Sequence, residues 1–152
     1  GILNYFVSRW FSPKYTKLKY INPDVEKQSI IFNENKVNWD ATIYLVEGAF
    51  DHIVTPNSIP LLGKILYPLL LDKIYENASS YVVILLDDDA YDYALSMYNM
   101  LNIGNLRGRV KVRKIPTGYD PSKVYEKWGV KGMVNLLKGA KTIPESQLHN
   151  TK

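Results

Sequence analysis

The sequence predicts an α/β fold, a mostly parallel sheet flanked by helices and preceded by a small strand-rich segment. Three observations predict it. Tyr81–Leu86 holds five consecutive apolar residues after Tyr81, as a central strand covered on both faces requires. Strand-like and helix-like segments alternate from residue 41 onward, the pattern that builds parallel sheets. Acidic residues close two of the strands, at Glu47 and at Asp87-Asp88-Asp89. Sheets of this class place their sites at the carboxyl ends of strands.

Taken in order, residues 1–38 read as short strands and loops. Tyr5–Arg9 alternates partly, Ser29–Phe32 is a short apolar run, and Asn22-Pro23 and residues 33–38 are turn signals. Thr42–Val46, rich in β-branched and aromatic residues, is a buried strand that ends at Glu47-Gly48. Gly48 is expected to let the chain turn closely there. Ser58–Leu62 is a second strand, closed by Gly63. Ile65–Asn77 has helical spacing, with Pro68 near its start. Asp87–Asp89 closes the central strand and begins a helix ending near Leu101. Asn102–Gly108 is a loop, and Arg109–Ile115 alternates basic with apolar residues as a half-buried strand does. After the turn Pro116-Thr117-Gly118, Asp120-Pro121 starts a helix, Asp being a good N-cap and Pro suiting the first turn. Val130–Lys138 is a second short helix, and the tail after Thr142 is polar. There is no internal repeat and no low-complexity segment.

Composition narrows the chemistry. The 152 residues suffice for one domain with a core. No apolar run reaches the roughly 18 residues that span a bilayer, so a membrane partner is not expected and a cytoplasmic location is. There is no cysteine, which removes disulfides and cysteine-based zinc sites. His52 and His149 are the only histidines and are far apart in sequence, against a multi-histidine metal site or a Ser-His-Asp triad. Any catalysis therefore falls to carboxylates. Net charge is +4 and the isoelectric point about 9.1. The distribution says more: Arg9, Lys14, Lys17 and Lys19 crowd one end, and Arg107, Arg109, Lys111, Arg113 and Lys114 form a second cluster. Asp87, Asp88, Asp89 and Asp92 lie between them. Acids flanked by basic clusters suit a metal site that handles a polyanion; solvated surface charge is the alternative.

Alternate side chains of an extended segment point the same way, so Asp87 and Asp89 are expected to face one site and Asp88 elsewhere. Clustered carboxylates repel unless a cation neutralises them, and Mg²⁺ accepts one or two while keeping waters for phosphates. Capping of the next helix explains one of these acids, not three. The twelve tyrosines are read as packing rather than as base-stacking platforms.

Together Glu47-Gly48 and Asp87-x-Asp89 resemble the Toprim domain shared by primases, topoisomerases and some nucleases. The Ala-Gly that often follows the family's Asp-x-Asp is absent, since Ala90-Tyr91-Asp92 stands there. Ile59–Lys64 resembles the family's second strand and its Gly turn. The preceding segment is similar to that of bacterial and phage primases, with Tyr5-Phe6-Val7-Ser8-Arg9, then Lys19-Tyr20-Ile21-Asn22, then Ile31-Phe32-Asn33 as the next family strand. Ile115-Pro116-Thr117-Gly118-Tyr119-Asp120-Pro121 resembles a further primase stretch, with Tyr119 in place of the usual Lys or Glu.

The resemblance implies a division into a basic primase-type segment (1–40), a Toprim domain (41–118), and C-terminal helices with a polar tail (119–152). It implies Mg²⁺ or Mn²⁺ held by Glu47, Asp87 and Asp89 as catalytic ligands, with Asp51 and Asp120 as further metal candidates. Asp120 is equally read as a helix cap. Arg9, Lys19, Asn22 and Lys64 are implied to bind nucleotide or template, and Arg109, Lys111 and Arg113 the nucleic-acid backbone. The implied function is template-directed synthesis of RNA primers from ribonucleoside triphosphates on single-stranded DNA. A Toprim nuclease and a non-catalytic DNA-binding scaffold are the alternatives. Primases of this family carry further modules and work with a replicative helicase, so a fragment is expected here, and the compact motifs lean toward a phage enzyme.

Overall fold

The computed structural model describes residues 5–9 and 20–144. Two short strands, β1 (Ser8–Arg9) and β2 (Tyr20–Ile21), pair antiparallel. The main sheet follows. Its strands are β3 (Ile43–Val46), β4 (Ser58–Pro60), β5 (Val82–Leu85) and β6 (Val110–Val112). They run parallel in the order β4-β3-β5-β6, so β3 and β5 are central. Helices α1 (Ala49–Val54), α2 (Pro68–Asn77) and α3 (Tyr91–Leu101) make the crossovers, and α4 (Pro121–Lys138) follows β6.

The period-two alternation of the strands divides the core. Ile43, Leu45, Val82 and Ile84 pack with Leu70 and Ile74 of α2 and Leu95, Met97 and Leu101 of α3. Val46 and Leu85 face the other way and meet Val124, Met133 and Leu136 of α4. All four residues of β5 are buried, which is why that segment reads as unbroken apolarity.

Several elements depart from the sequence reading for identifiable reasons. The helix expected from Ile65 begins at Pro68, because the residue before proline is pushed to extended backbone and Tyr67 has φ −77° and ψ 153°. Residues 31–33 do not form the strand that the resemblance implied. Short 3₁₀ turns at Lys27–Ser29 and Glu34–Lys36 flank them, Asn33 has φ 56°, and Phe32 sets its ring edge-on to Tyr5 and His52. The helix after Asp87 is preceded by a 3₁₀ turn, Asp88–Ala90. The segment expected as a loop at 102–108 holds a 3₁₀ turn at Gly104–Leu106. Helix α1 was not foreseen; six residues are too few to show a helical period.

Asp120 caps α4 as expected, its side chain accepting a hydrogen bond from the Lys123 N–H at 2.7 Å. The two helices expected after it are both present within α4, meeting at a kink at Gly129, where φ is 59° and ψ −154°. Only glycine adopts that conformation without strain. Gly129→Ala is therefore expected to destabilise the chain by about 1–3 kcal/mol, read as a lower urea midpoint with an unchanged m-value. An unchanged midpoint would mean that α4 tolerates a straight path.

Candidate metal centre

Val46 of β3 lies opposite Leu85 of β5, so the two central strands end side by side. Glu47 and Asp87 leave those ends. Asp87 is itself extended, with φ −57° and ψ 158°, and the 3₁₀ turn after it swings the next two acids apart. Asp89 returns to the site: Glu47, Asp87 and Asp89 each offer a carboxylate oxygen, and the three oxygens lie within 4.8 Å of one another. Asp88 turns away, accepting a hydrogen bond from the Gly118 N–H at 3.3 Å. A turn, not the alternation of an extended segment, brings Asp87 and Asp89 together.

The cluster opens on a cavity of about 530 Å³ lined by Glu47, Asp51, Asp87 and Asp120 and by the cations Arg9, Lys27 and Lys123. Asn22 also lines it. Asp51 has its oxygens divided between the Gly48 N–H (3.1 Å) and the Ser122 N–H (3.2 Å), which ties α1 to the first turn of α4. A Cβ on Gly48 would stand 3.1 Å from Asp51 Oδ2, so this glycine serves close approach rather than an unusual φ. Asp120 accepts from Ser122 Oγ and the Lys123 N–H and pairs with Lys123 Nζ at 3.1 Å. Lys64 pairs with Asp89 at 2.9 Å. The Arg9 guanidinium lies over the Phe50 ring, 5.4 Å from its centroid.

Other sequence candidates fall elsewhere. Lys19 lies outside the described residues. Arg109, at the amino end of β6, donates to the carbonyls of Asn105 and Ser80. The Lys111 ammonium sits over the Tyr81 ring at 3.9 Å. Arg113 donates to the Leu136 carbonyl at 2.7 Å, near the end of α4. Two cations at the cavity were not singled out from sequence, Lys27 and Lys123. Lys27 donates to the Leu62 carbonyl at 2.9 Å, and neither carries a motif that could have marked it.

The electrostatics are those of a site short of positive charge. Burial, then the neighbouring Glu47, Asp51, Asp120 and Asp89, pushes the Asp87 carboxyl up to about 7. Burial also raises Glu47, with Lys64 opposing and Asp89 adding to the rise. Asp51 is raised by burial. Asp120 goes the other way: burial pushes it up, but the hydrogen bonds from Lys123 and Ser122 outweigh it. Glu47 Oε2 and Asp87 Oδ1 are buried with no hydrogen-bond partner among the described residues. Buried carboxylate oxygens without partners are unfavourable unless something cationic meets them. Hard oxygen donors at this spacing fit a divalent cation such as Mg²⁺ or Mn²⁺.

A carboxyl whose folded pKa is raised binds its proton more tightly folded than unfolded, so stability falls as pH rises between the two values. For Asp87 that window runs from 3.8 to about 7. Without divalent metal the chain is expected to lose stability across it, and Asp87→Asn to recover about 1–2 kcal/mol at pH 8 after allowance for solvent screening of a half-buried group. Urea unfolding of both proteins at pH 5 and pH 8 in chelator reads this. Parallel pH profiles would show that Asp87 titrates normally.

No family model matches the chain, and no curated protein does. Solved structures do. The DnaG catalytic core is similar with a TM-score of 0.74 at 19% identity, over 92% of this chain and 49% of that one. The RNA polymerase domain of Mycobacterium tuberculosis primase DnaG, in complex with double-stranded DNA, gives 0.69 at 20% identity, over 90% and 49%. A DnaG primase catalytic domain bound to single-stranded DNA gives 0.63 at 20% identity, over 84% and 45%. The chain thus spans about half the length of these primase chains. With its parallel sheet, its flanking helices and its acids at the ends of β3 and β5, it has the fold of the Toprim-type primase catalytic core.

Proposed function

We propose that this chain is the acid-bearing part of a primase core, a DNA-directed RNA polymerase that makes RNA primers on single-stranded DNA. One observation carries the reading: buried, unpartnered oxygens of Glu47 and Asp87 beside Asp89, facing a cavity that also holds cations, within a primase-like fold. Glu47, Asp87 and Asp89 would hold Mg²⁺ or Mn²⁺, which when bound neutralises charge on the attacking and leaving oxygens of phosphoryl transfer.

The chain's own groups do the positioning. Arg9, Asn22 and Lys27 line the cavity beside the acids, where guanidinium and ammonium groups steady triphosphate or template phosphates. By its place in the sequence motif, Lys19 is given the same role in this reading. Lys64, paired with Asp89 at 2.9 Å, is within reach of a phosphate there once a metal takes over that carboxylate. Asp51 ties α1 to the first turn of α4 and Asp120 caps α4 beside the acids, and both would stand as outer ligands through water. Ribonucleoside triphosphates, the template strand, the remaining primase domains and a replicative helicase are the partners of this reading. The single-stranded DNA bound by a similar catalytic domain supports the template among them.

The double variant Asp87→Asn/Asp89→Asn is expected to lose Mg²⁺ and Mn²⁺ binding by calorimetry. Ribonucleotide incorporation on single-stranded DNA is expected to fall by at least about a hundredfold. Metal-dependent cutting of the template without incorporation would replace the reading with a nuclease. Absence of metal binding by the parent, even with nucleotide and DNA present, would replace it with a scaffold. Arg9→Ala is expected to raise KM for nucleotide or template about tenfold with kcat nearly unchanged, the signature of a group that binds ground and transition states alike. An equal fall in kcat and kcat/KM would instead move Arg9 to the reacting phosphate.

A further inference from the structure

The break in α4 has a second consequence. Trp128 lies immediately before Gly129 and is 47% exposed, unusual for so large an apolar ring. A Cβ on Gly132 would come within 2.4 Å of the Trp128 Cβ, so both glycines are needed for the indole to sit where it does. Tyr119 packs beside it, ring centroids 5.0 Å apart and planes 34° apart. Lys127 donates to the Tyr119 hydroxyl and lies 4.7 Å from the centroid of the Trp128 ring. Trp128 also borders a cleft of about 420 Å³ with Arg113, Lys131 and Asn135, and among the described residues no acidic side chain lines that cleft. Arg113 is already fixed by its bond to the Leu136 carbonyl, so its charge is held in place before anything binds.

Aromatic rings among cations, with no acid in the cleft, match one chemistry: a base that stacks and phosphates that pair. The location agrees. Asp120, at the acid cavity, begins the helix, and Trp128 lies eight residues on, about 12 Å along a helical path. That is about three to four stacked nucleotides of a single strand. We propose that the kink of α4 carries a second nucleic-acid site, where Trp128 stacks a base and Arg113, Lys127 and Lys131 hold the adjoining phosphates of a single strand passing the acid centre. Lys127 reaches the rings through a flexible stem, and its swing to a phosphate uncovers the ring face for the base.

This inference rests on the nucleic-acid part of the proposed function but not on catalysis, so its test uses no metal. Fluorescein-labelled dT12 and rU12 are titrated with the full chain in chelator and followed by anisotropy. Trp128→Ala is expected to weaken binding about five- to a hundredfold, and Trp128→Tyr to stay within about threefold of the parent. Lys127→Ala/Lys131→Ala, both exposed side chains, is expected to lower the salt slope by about 1.4, two phosphates' worth on a single strand. A larger effect on dT12 assigns the site to template, and on rU12 to primer. Parent-like affinity of Trp128→Ala and an unchanged salt slope in the lysine variant would overturn the proposal and leave the patch to a protein partner. The two readings fail separately. Loss of binding in Trp128→Ala with no incorporation by the parent keeps the strand site and removes the primase. Incorporation by the parent with parent-like binding in Trp128→Ala does the reverse.

Discussion

Two carboxylates leave the ends of neighbouring strands, Glu47 just past Val46 and Asp87 just beyond its partner Leu85, and the sheet does not let them part. Adjacent strands lie about 4.8 Å apart, and both strands here are buried on both faces. Moving Glu47 away from Asp87 would mean breaking the pairing of Val46 with Leu85 or opening the core beneath it. The apolar core therefore does electrostatic work: it keeps like charges closer than they would choose. That crowding, added to burial, is what lifts Asp87 to about 7. A cation entering the cluster meets groups already in place, whose repulsion it removes.

The cations around the cavity relieve the arrangement only in part. Lys64 pairs with the exposed member, Asp89, and pulls against the rise of Glu47, while Lys123 pairs with Asp120. The buried oxygens left without partners, on Glu47 and Asp87, are open to something smaller than a lysine head group. Positive charge is thus placed at the rim, where phosphates would arrive, and withheld from the centre.

The sheet and the acids were legible in sequence because both write themselves along one dimension. An unbroken apolar stretch such as Val82–Leu86 betrays a central strand, and an acid at its end betrays a site. What was not legible depends on partners far along the chain. The alternation Arg109–Ile115 tells which way each side chain points, not that Arg109 meets the Ser80 carbonyl or that Arg113 meets Leu136. Lys27 arrives at the cavity on a 3₁₀ turn that has no periodic signature. Ile31-Phe32 resembled the start of a strand because both are apolar, yet among the described residues no neighbouring strand pairs with them, and Asn33 turns the chain instead. Tyr119 and Trp128 are nine positions apart, so their contact is invisible until the loop before α4 folds back on it.

The strand order carries a consequence for how the molecule comes into being. In β4-β3-β5-β6 every adjacent pair is parallel, so each pairing must wait for a crossover of eleven residues or more to close. The β3–β5 pairing joins Ile43 to Val82, and the Asp51–Ser122 bond spans 71 positions. Such distant contacts make for slow folding. A growing chain carries Glu47 and Asp87 far apart, each behaving as an ordinary acid, until the sheet closes. The close set of Glu47, Asp87 and Asp89 that could hold a divalent ion then arises all at once, as a property of the finished fold.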